Sequence, residues 1–110
     1  MCSSDLYKPL HIVVRDDAGA VIGGLTGETY WDWLFVDLLW VAEEHRAQGL
    51  GRELLTKAEV EAKARGCTNV YLDTFDFQAR GFYEKLSYTV FGSLPHYPED
   101  HTRYFLTKTL

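Results

Sequence analysis

The stretch V-A-E-E-H-R-A-Q-G-L-G-R at residues 41–52 joins an apolar strand to an alanine-rich helix through a loop carrying two glycines and two arginines. Strand, glycine loop and helix in direct succession place the helix start at the strand end, and glycine there lets the backbone come close to a ligand. The first turn of a helix has N–H groups without internal partners and sits at the positive end of the helix dipole, so a phosphate or pyrophosphate fits. Arg46 and Arg52 add full charge on either side. The same hexapeptide, R-x-x-G-x-G, also suits a helix that simply opens on flexible glycines. There is no G-x-G-x-x-G after a strand and no G-x-x-x-x-G-K-[ST], so dinucleotide and nucleoside triphosphate readings lose their main support.

Around this loop the pattern predicts one domain over residues 1–110, with residues 1–9 an irregular leader. Residues 10–15 are apolar and β-branched, D-D-A-G at 16–19 is a turn signal, and a hairpin to residues 21–29 follows. Gly23 and Gly24 within that second strand imply a bulge or a close backbone approach. Residues 33–41 form the apolar strand. Leu50, Leu54, Leu55, Ala58 and Ala62 then recur at helical spacing, giving a helix over 50–65 with Gly66 as its stop. A strand at 69–74, a short helix at 78–86 and closing strands at 88–91 and 103–107 complete the order β-β-β-α-β-α-β-β.

With 46% hydrophobic and 15% aromatic residues the chain can build a core, although so short a domain buries proportionally little surface. A formal net charge of -5 argues against nucleic acid as a partner. No apolar run approaches the ~20 residues of a membrane span, and no signal peptide is visible. Cys2 and Cys67 form neither a disulfide framework nor a metal spacing, which points to a reducing cytoplasm, with Cys67 a packed small side chain. No His, Cys or carboxylate cluster has the spacing of a metal site.

Two segments carry a family likeness. The strand ending on Val41, with Arg46, Gly49 and Gly51 as R-x-x-G-x-G, resembles motif A of the GNAT superfamily of acetyl-CoA-dependent N-acetyltransferases. A-R-G-F-Y-E-K-L-S-Y at residues 79–88 is similar to that family's A-x-x-x-Y-E-K-x-G-[FY]. The resemblance runs from about residue 10 to residue 108. It implies an α/β (α+β) fold with a mixed, mostly antiparallel central sheet and helices on its faces. It also implies acetyl transfer from acetyl-CoA to a primary amine of a small molecule or a peptide.

On that resemblance, backbone groups at Leu39, Trp40 and Val41 pair with the pantetheine arm, and the N–H groups of Gln48, Gly49, Leu50, Gly51 and Arg52 take the pyrophosphate, beside Arg46. Asp76 stands where relatives carry a pantetheine-touching asparagine. Tyr83 matches the tyrosine that protonates the leaving thiolate. Asp37 and Asp73 both match places where relatives carry the carboxylate base. Strand alternation puts Asp37 on the face of Leu39 and Val41, and burial there would raise its pKa toward neutrality.

The chain also departs from the family. The strand and helices that usually precede the hairpin, one wall of the acceptor pocket, are lacking, and M-C-S-S-D-L at residues 1–6 reads as a translated sequencing-adapter end of a 5′-truncated gene. The sheet surface and edge this exposes imply a homodimer, with or without exchanged elements. Ser87 replaces a glycine at a helix C′ position, where positive φ costs about 1 kcal/mol. Tyr30, Trp31, Trp33, Trp40, Phe75, Phe77, Phe82 and Tyr97 crowd the acceptor side as core, dimer or acceptor contacts. The loop at 97–101 can reach that pocket, and His96 and His101 are candidate proton shuttles. Two readings of function therefore stand: a small-molecule amine acetyltransferase, and a coenzyme A-binding protein idled by an incomplete acceptor site.

Overall fold

The structure, a computed structural model, describes residues 6–76 and 79–110, the side chain of Ala47 excepted. The reading of residues 1–5 as a leader, the helix start at 78 and the contacts expected of Phe77 lie outside the described residues.

Asp16 sets the first hairpin, because its carboxylate accepts the N–H groups of Ala18 and Ala20, both at 2.9 Å, while Gly19 takes a φ of 89° that favours glycine. The flanking strands are β1, Lys8–Arg15, and β2, Val21–Tyr30. Lys8 and Pro9, expected in an irregular leader, already pair with Thr29 and Glu28. The second hairpin turns on Trp31 and Asp32, both at positive φ (50° and 74°), and leads into β3, Trp33–Val41. Asp32 pays for its backbone with its side chain, which accepts the Thr68 hydroxyl at 2.6 Å and the Thr68 N–H at 3.0 Å. That fastens the turn to the start of β4, Asn69–Phe75.

Between β3 and β4 the chain makes a short 3₁₀ segment, Glu43–Gln48, and then α1, Leu50–Ala64. The helix ends as its Gly66 predicts: at φ 90° the Gly66 N–H donates to Lys63 O and the Cys67 N–H to Ala62 O, each at 2.9 Å. After β4 come α2, Arg80–Lys85, then β5, Thr89–Leu94, and β6, Arg103–Thr109. The six strands order as β1-β2-β3-β4-β6-β5, with only the β3–β4 pair parallel. The expected element order and mixed sheet are thus present.

Alternation decides what faces what. Leu10, Leu25, Leu34, Val36, Val70, Leu72 and Leu106 point to one face and form the core with Leu54, Leu55, Ala58 and Ala62 of α1. Cys67 is buried there too. Both helices pack on this face, since Tyr83 of α2 belongs to the same cluster and Arg80 lies 4.6 Å over the Tyr104 ring. Two polar groups pin α1 to the sheet. Arg65 donates to the Thr29 hydroxyl at 3.0 Å and to the carbonyls of Lys8 and Pro9. Glu59 accepts the Tyr88 hydroxyl at 2.7 Å and the Lys108 ammonium at 3.0 Å.

Two features of β3 matter for the site. A bulge opposite Thr26 and Gly27 breaks its alternation: Leu34 and Val36 face the core, then Leu39 and Val41 do, while Asp37 and Leu38 between them are exposed. A Cβ on Gly27 would overlap the Phe35 carbonyl, so the close approach falls there as well as at Gly24, where a Cβ would come 2.9 Å from Trp40 Nε1. The bulge or close approach expected at Gly23 and Gly24 is present, since the β1–β2 register slips between the pairs Val14–Gly23 and Arg15–Val21, and a second bulge lies on β3 at Asp37. Secondly, the parallel ladder of β3 with β4 stops at the pair Val36 and Leu72, although β4 continues beside β6 to Phe75. From residue 37 onward the two strands splay apart.

Candidate active site

The splay opens a wedge through the sheet, with a cavity on each side. On the helix side a cavity of about 290 Å³ is lined by Leu39, Trp40, Val41, Arg46, Gly49, Gly51, Arg52, Ala79, Phe82 and Tyr83. On the other side a cavity of about 300 Å³ is lined by residues that include Asp37, Leu38, Asp73, Thr74 and Phe75. Leu39, Ala79 and Tyr83 border both cavities, so they stand at the passage between them.

The helix-side cavity is made for an anion with a slender tail. Gly49 caps α1 at φ 75°, without a side-chain cap, and the first intrahelical bond is from the Glu53 N–H to Gly49 O at 3.1 Å. The N–H groups of Leu50, Gly51 and Arg52 precede that bond and point out of the helix start. A Cβ at Gly51 would come 3.3 Å from Phe82 Cζ, so glycine keeps this turn close against α2. Arg46 is anchored through Nε to Val41 O at 3.3 Å, which holds its charge at the mouth beside Arg52. Gln48 is occupied with His45, its side-chain oxygen lying 2.9 Å from His45 Nδ1. Beyond Val36 the inner edge of β3 lacks β4 as a partner, leaving backbone groups around Leu39 to Val41 for a ligand arm. Unpartnered N–H groups, flanking arginines and an open strand edge fit a pyrophosphate followed by an amide-bearing chain.

At the passage, Tyr83 is held by α2 and the Tyr88 ring, with centroids 5.9 Å apart. Burial, with the Asp73 charge adding to it, pushes the Tyr83 hydroxyl up to about 12, so it keeps its proton at neutral pH. Asp73 is not a lone carboxylate: Arg103 donates to it at 3.0 Å. Arg103 in turn lies 5.0 Å from the Tyr97 and Phe105 ring centres, and Tyr97 stacks on Phe75. The 97–101 loop comes no closer to the pocket than Tyr97, which packs behind the lining residue Phe75.

Three expectations need correction. Asp37 does not share the face of Leu39 and Val41, because the bulge resets the alternation, and it is exposed, not buried. Asp76 turns away from both cavities: its carboxylate accepts the Thr102 N–H at 3.0 Å and meets His101 Nδ1 at 2.9 Å, bracing the loop before β6. His101 is engaged in that brace on the loop and borders neither cavity. Arg103 and Ala79 were missed as site residues. Phe82, expected among the acceptor-side aromatics, instead lines the helix-side cavity and packs on Gly51.

The sequence relationships match this geometry. Residues 2–88 fit the family described as Acetyltransferase (GNAT) family. The chain belongs to it. Over 107 residues it is 43% identical to the blasticidin-S acetyltransferase of Streptomyces morookaense, covering 94% of this chain and 79% of that protein. It is 45% identical over 87 residues to an acetyltransferase of Agrobacterium fabrum, and spans 64% of that protein's length. An acetyltransferase crystal structure from Bacillus cereus ATCC 14579 superposes with a TM-score of 0.93 at 38% identity, over 96% of this chain and 76% of that one. Solved structures of the same fold hold coenzyme A or acetyl coenzyme A. This GNAT chain is accordingly an acetyl-CoA-dependent N-acetyltransferase. Among the described residues no helix is long and apolar enough to cross a membrane, and no His, Cys or carboxylate group is arranged to hold a metal.

Proposed function

We propose that the acceptor is the primary amine of a small molecule, with antibiotics of the kind named for the Streptomyces morookaense relative the first to test. The observation that carries this reading is the pair of cavities meeting at Tyr83, one basic and one acidic, on opposite sides of the splayed strands. Acetyl-CoA supplies the activated acyl group. The first-turn N–H groups of α1, with Arg46 and Arg52, hold the pyrophosphate, and the β3 edge at Leu39 to Val41 aligns the arm toward the passage. Asp37 is the base: it faces the acceptor cavity, carries no ion pair among the described residues, and takes the ammonium proton directly or through one water. Asp73 is instead engaged by the Arg103 guanidinium at 3.0 Å, which leaves Asp37 as the unpaired carboxylate of this cavity among the described residues. Tyr83, which retains its proton, gives it to the departing thiolate.

Coenzyme A thiol release, measured with a panel of amines, tests the reading against a catalytically idle coenzyme-binding protein. Release that depends on the amine and falls in D37N supports it; calorimetric coenzyme binding with no release for any amine favours the idle alternative. We infer further that two copies pair, because Phe91 and Leu94 are exposed on β5, the outermost strand. A monomer by light scattering at micromolar concentration overturns that inference. The reducing interior of the cytoplasm suits a chain whose cysteines build no disulfide framework.

A further inference from the structure

The helix-free face of the sheet carries a second, aromatic trough that the transfer chemistry leaves unused. Phe35 and Tyr71 stack there with ring centroids 4.9 Å apart, and Trp33 meets Tyr71 edge-on at 5.8 Å. They reach one another because β3 and β4 are still paired at this level, Phe35 opposite Tyr71. Glu28 of β2 lies opposite Phe35 and rises among these rings, its carboxylate accepting the Tyr7 hydroxyl. Among the described residues no lysine or arginine forms an ion pair with it. Two adjoining cavities of about 390 and 400 Å³ share Tyr7, Glu28 and Phe35. The first of them also touches Asp37, which borders the acceptor cavity at Tyr83.

A half-buried carboxylate without a cationic partner, set between aromatic faces, is a poor way to stabilise a fold and a good way to bind a flat cation. The rings supply stacking area and their negative faces, and the carboxylate supplies a charge-assisted hydrogen bond. Continuity through Asp37 fixes the direction of the ligand. Along β3 the step from Phe35 to Leu39, at the passage, is on the order of 10 Å at ordinary strand rise.

We propose that Glu28, with Phe35, Tyr71 and Trp33, forms a distal acceptor subsite for a planar cationic group, such as an amidinium, guanidinium or protonated heterocycle, carried on the order of 10 Å from the amine that is acetylated. This rests on the acceptor cavity assigned above and adds to it the class of molecule the enzyme selects. The subsite discriminates by KM, since it binds the substrate at a distance from the reacting atoms.

Two probes isolate the charge: a benzamidine bearing an aminoalkyl arm, and the matching phenyl compound without the amidine. For the wild-type chain the amidinium probe should show a KM about tenfold lower than the phenyl probe, with similar kcat. Glu28→Gln should erase that advantage while leaving the phenyl probe's kinetics and the calorimetric affinity for acetyl-CoA unchanged. Equal KM values in the wild-type chain, or an advantage that survives E28Q, overturns the subsite. Calorimetric titration of the same probes separates the subsite from the reaction. If neither amine is turned over yet the amidinium still binds more tightly and loses this in E28Q, the subsite stands and the assignment of the acceptor cavity falls. If neither binds, the subsite is refuted.

Discussion

Tyr83 sits where two cavities meet, and its environment prescribes its role. A phenol with its proton held to about pH 12 cannot serve as a base near neutrality, but it can donate to a nascent thiolate. Tyr83→Phe should therefore lower kcat about a hundredfold or more while leaving the calorimetric affinity for acetyl-CoA within twofold. The same shift has a stability consequence. The folded chain binds that proton more tightly than the unfolded chain, so the contribution is complete below pH 10 and is lost as the pH rises toward about 12. Denaturant melts of wild type and Y83F should diverge across that alkaline window and run parallel below it. Ser87 is a second single-residue case. Its φ of 76° closes the α2 turn, with the Ser87 N–H donating to Glu84 O and the Tyr88 N–H to Tyr83 O, each at 3.1 Å. This is the left-handed C′ position the motif reserves for glycine, and the strain was legible from that one substitution. Ser87→Gly should stabilise the fold by about 1 kcal/mol, a rise of about 4 °C in Tm, with catalysis unchanged.

At the scale of elements, the start of α1 depends on Gly49 at φ 75°. Gly49→Ala forces a side chain into the left-handed region at a cost of about 1 kcal/mol, and relieving it would tilt the first-turn N–H groups away from the pyrophosphate. Coenzyme A should bind roughly tenfold more weakly by calorimetry, a larger loss than Arg46→Ala should give at the exposed rim. This strand, loop and helix were readable because glycine, arginine and apolar spacing each constrain a short run of backbone. What could not be read was what bends or fastens the elements. The second hairpin turns on Trp31 and Asp32, which carry no glycine signal, and holds because Asp32 is bonded to Thr68 far along the chain. The β3 bulge depends on how Gly27 meets Phe35 across the ladder, a fact of pairing and not of composition, and it alone reversed the expected face of Asp37. Arg103 was invisible for the same reason: only β4–β6 register brings it to Asp73.

The whole molecule is a slab of 42 × 42 × 21 Å, thick enough for one sheet and one helix layer. Its core lies entirely on the helix side, and the wedge between β3 and β4 interrupts the sheet near its middle. Beyond Val36 the two halves are joined through α1, α2 and the connections between them instead of through a continuous ladder, so the seam is where the fold has least to hold it closed. A ligand lying along the open β3 edge with its pyrophosphate on α1 bridges that seam. It binds the folded chain and has no site in the unfolded one, so saturating coenzyme should stabilise by mass action. At a concentration of about 100 times Kd this amounts to about 2.7 kcal/mol, or a rise of about 10 °C in Tm for a domain of this size. Hydrogen exchange offers the finer check. Protection gained on coenzyme binding should concentrate in residues 38–41 and 49–53, with the β1–β2 hairpin exchanging as before. Uniform protection across the sheet would instead mean that the ligand stabilises the fold without closing the seam.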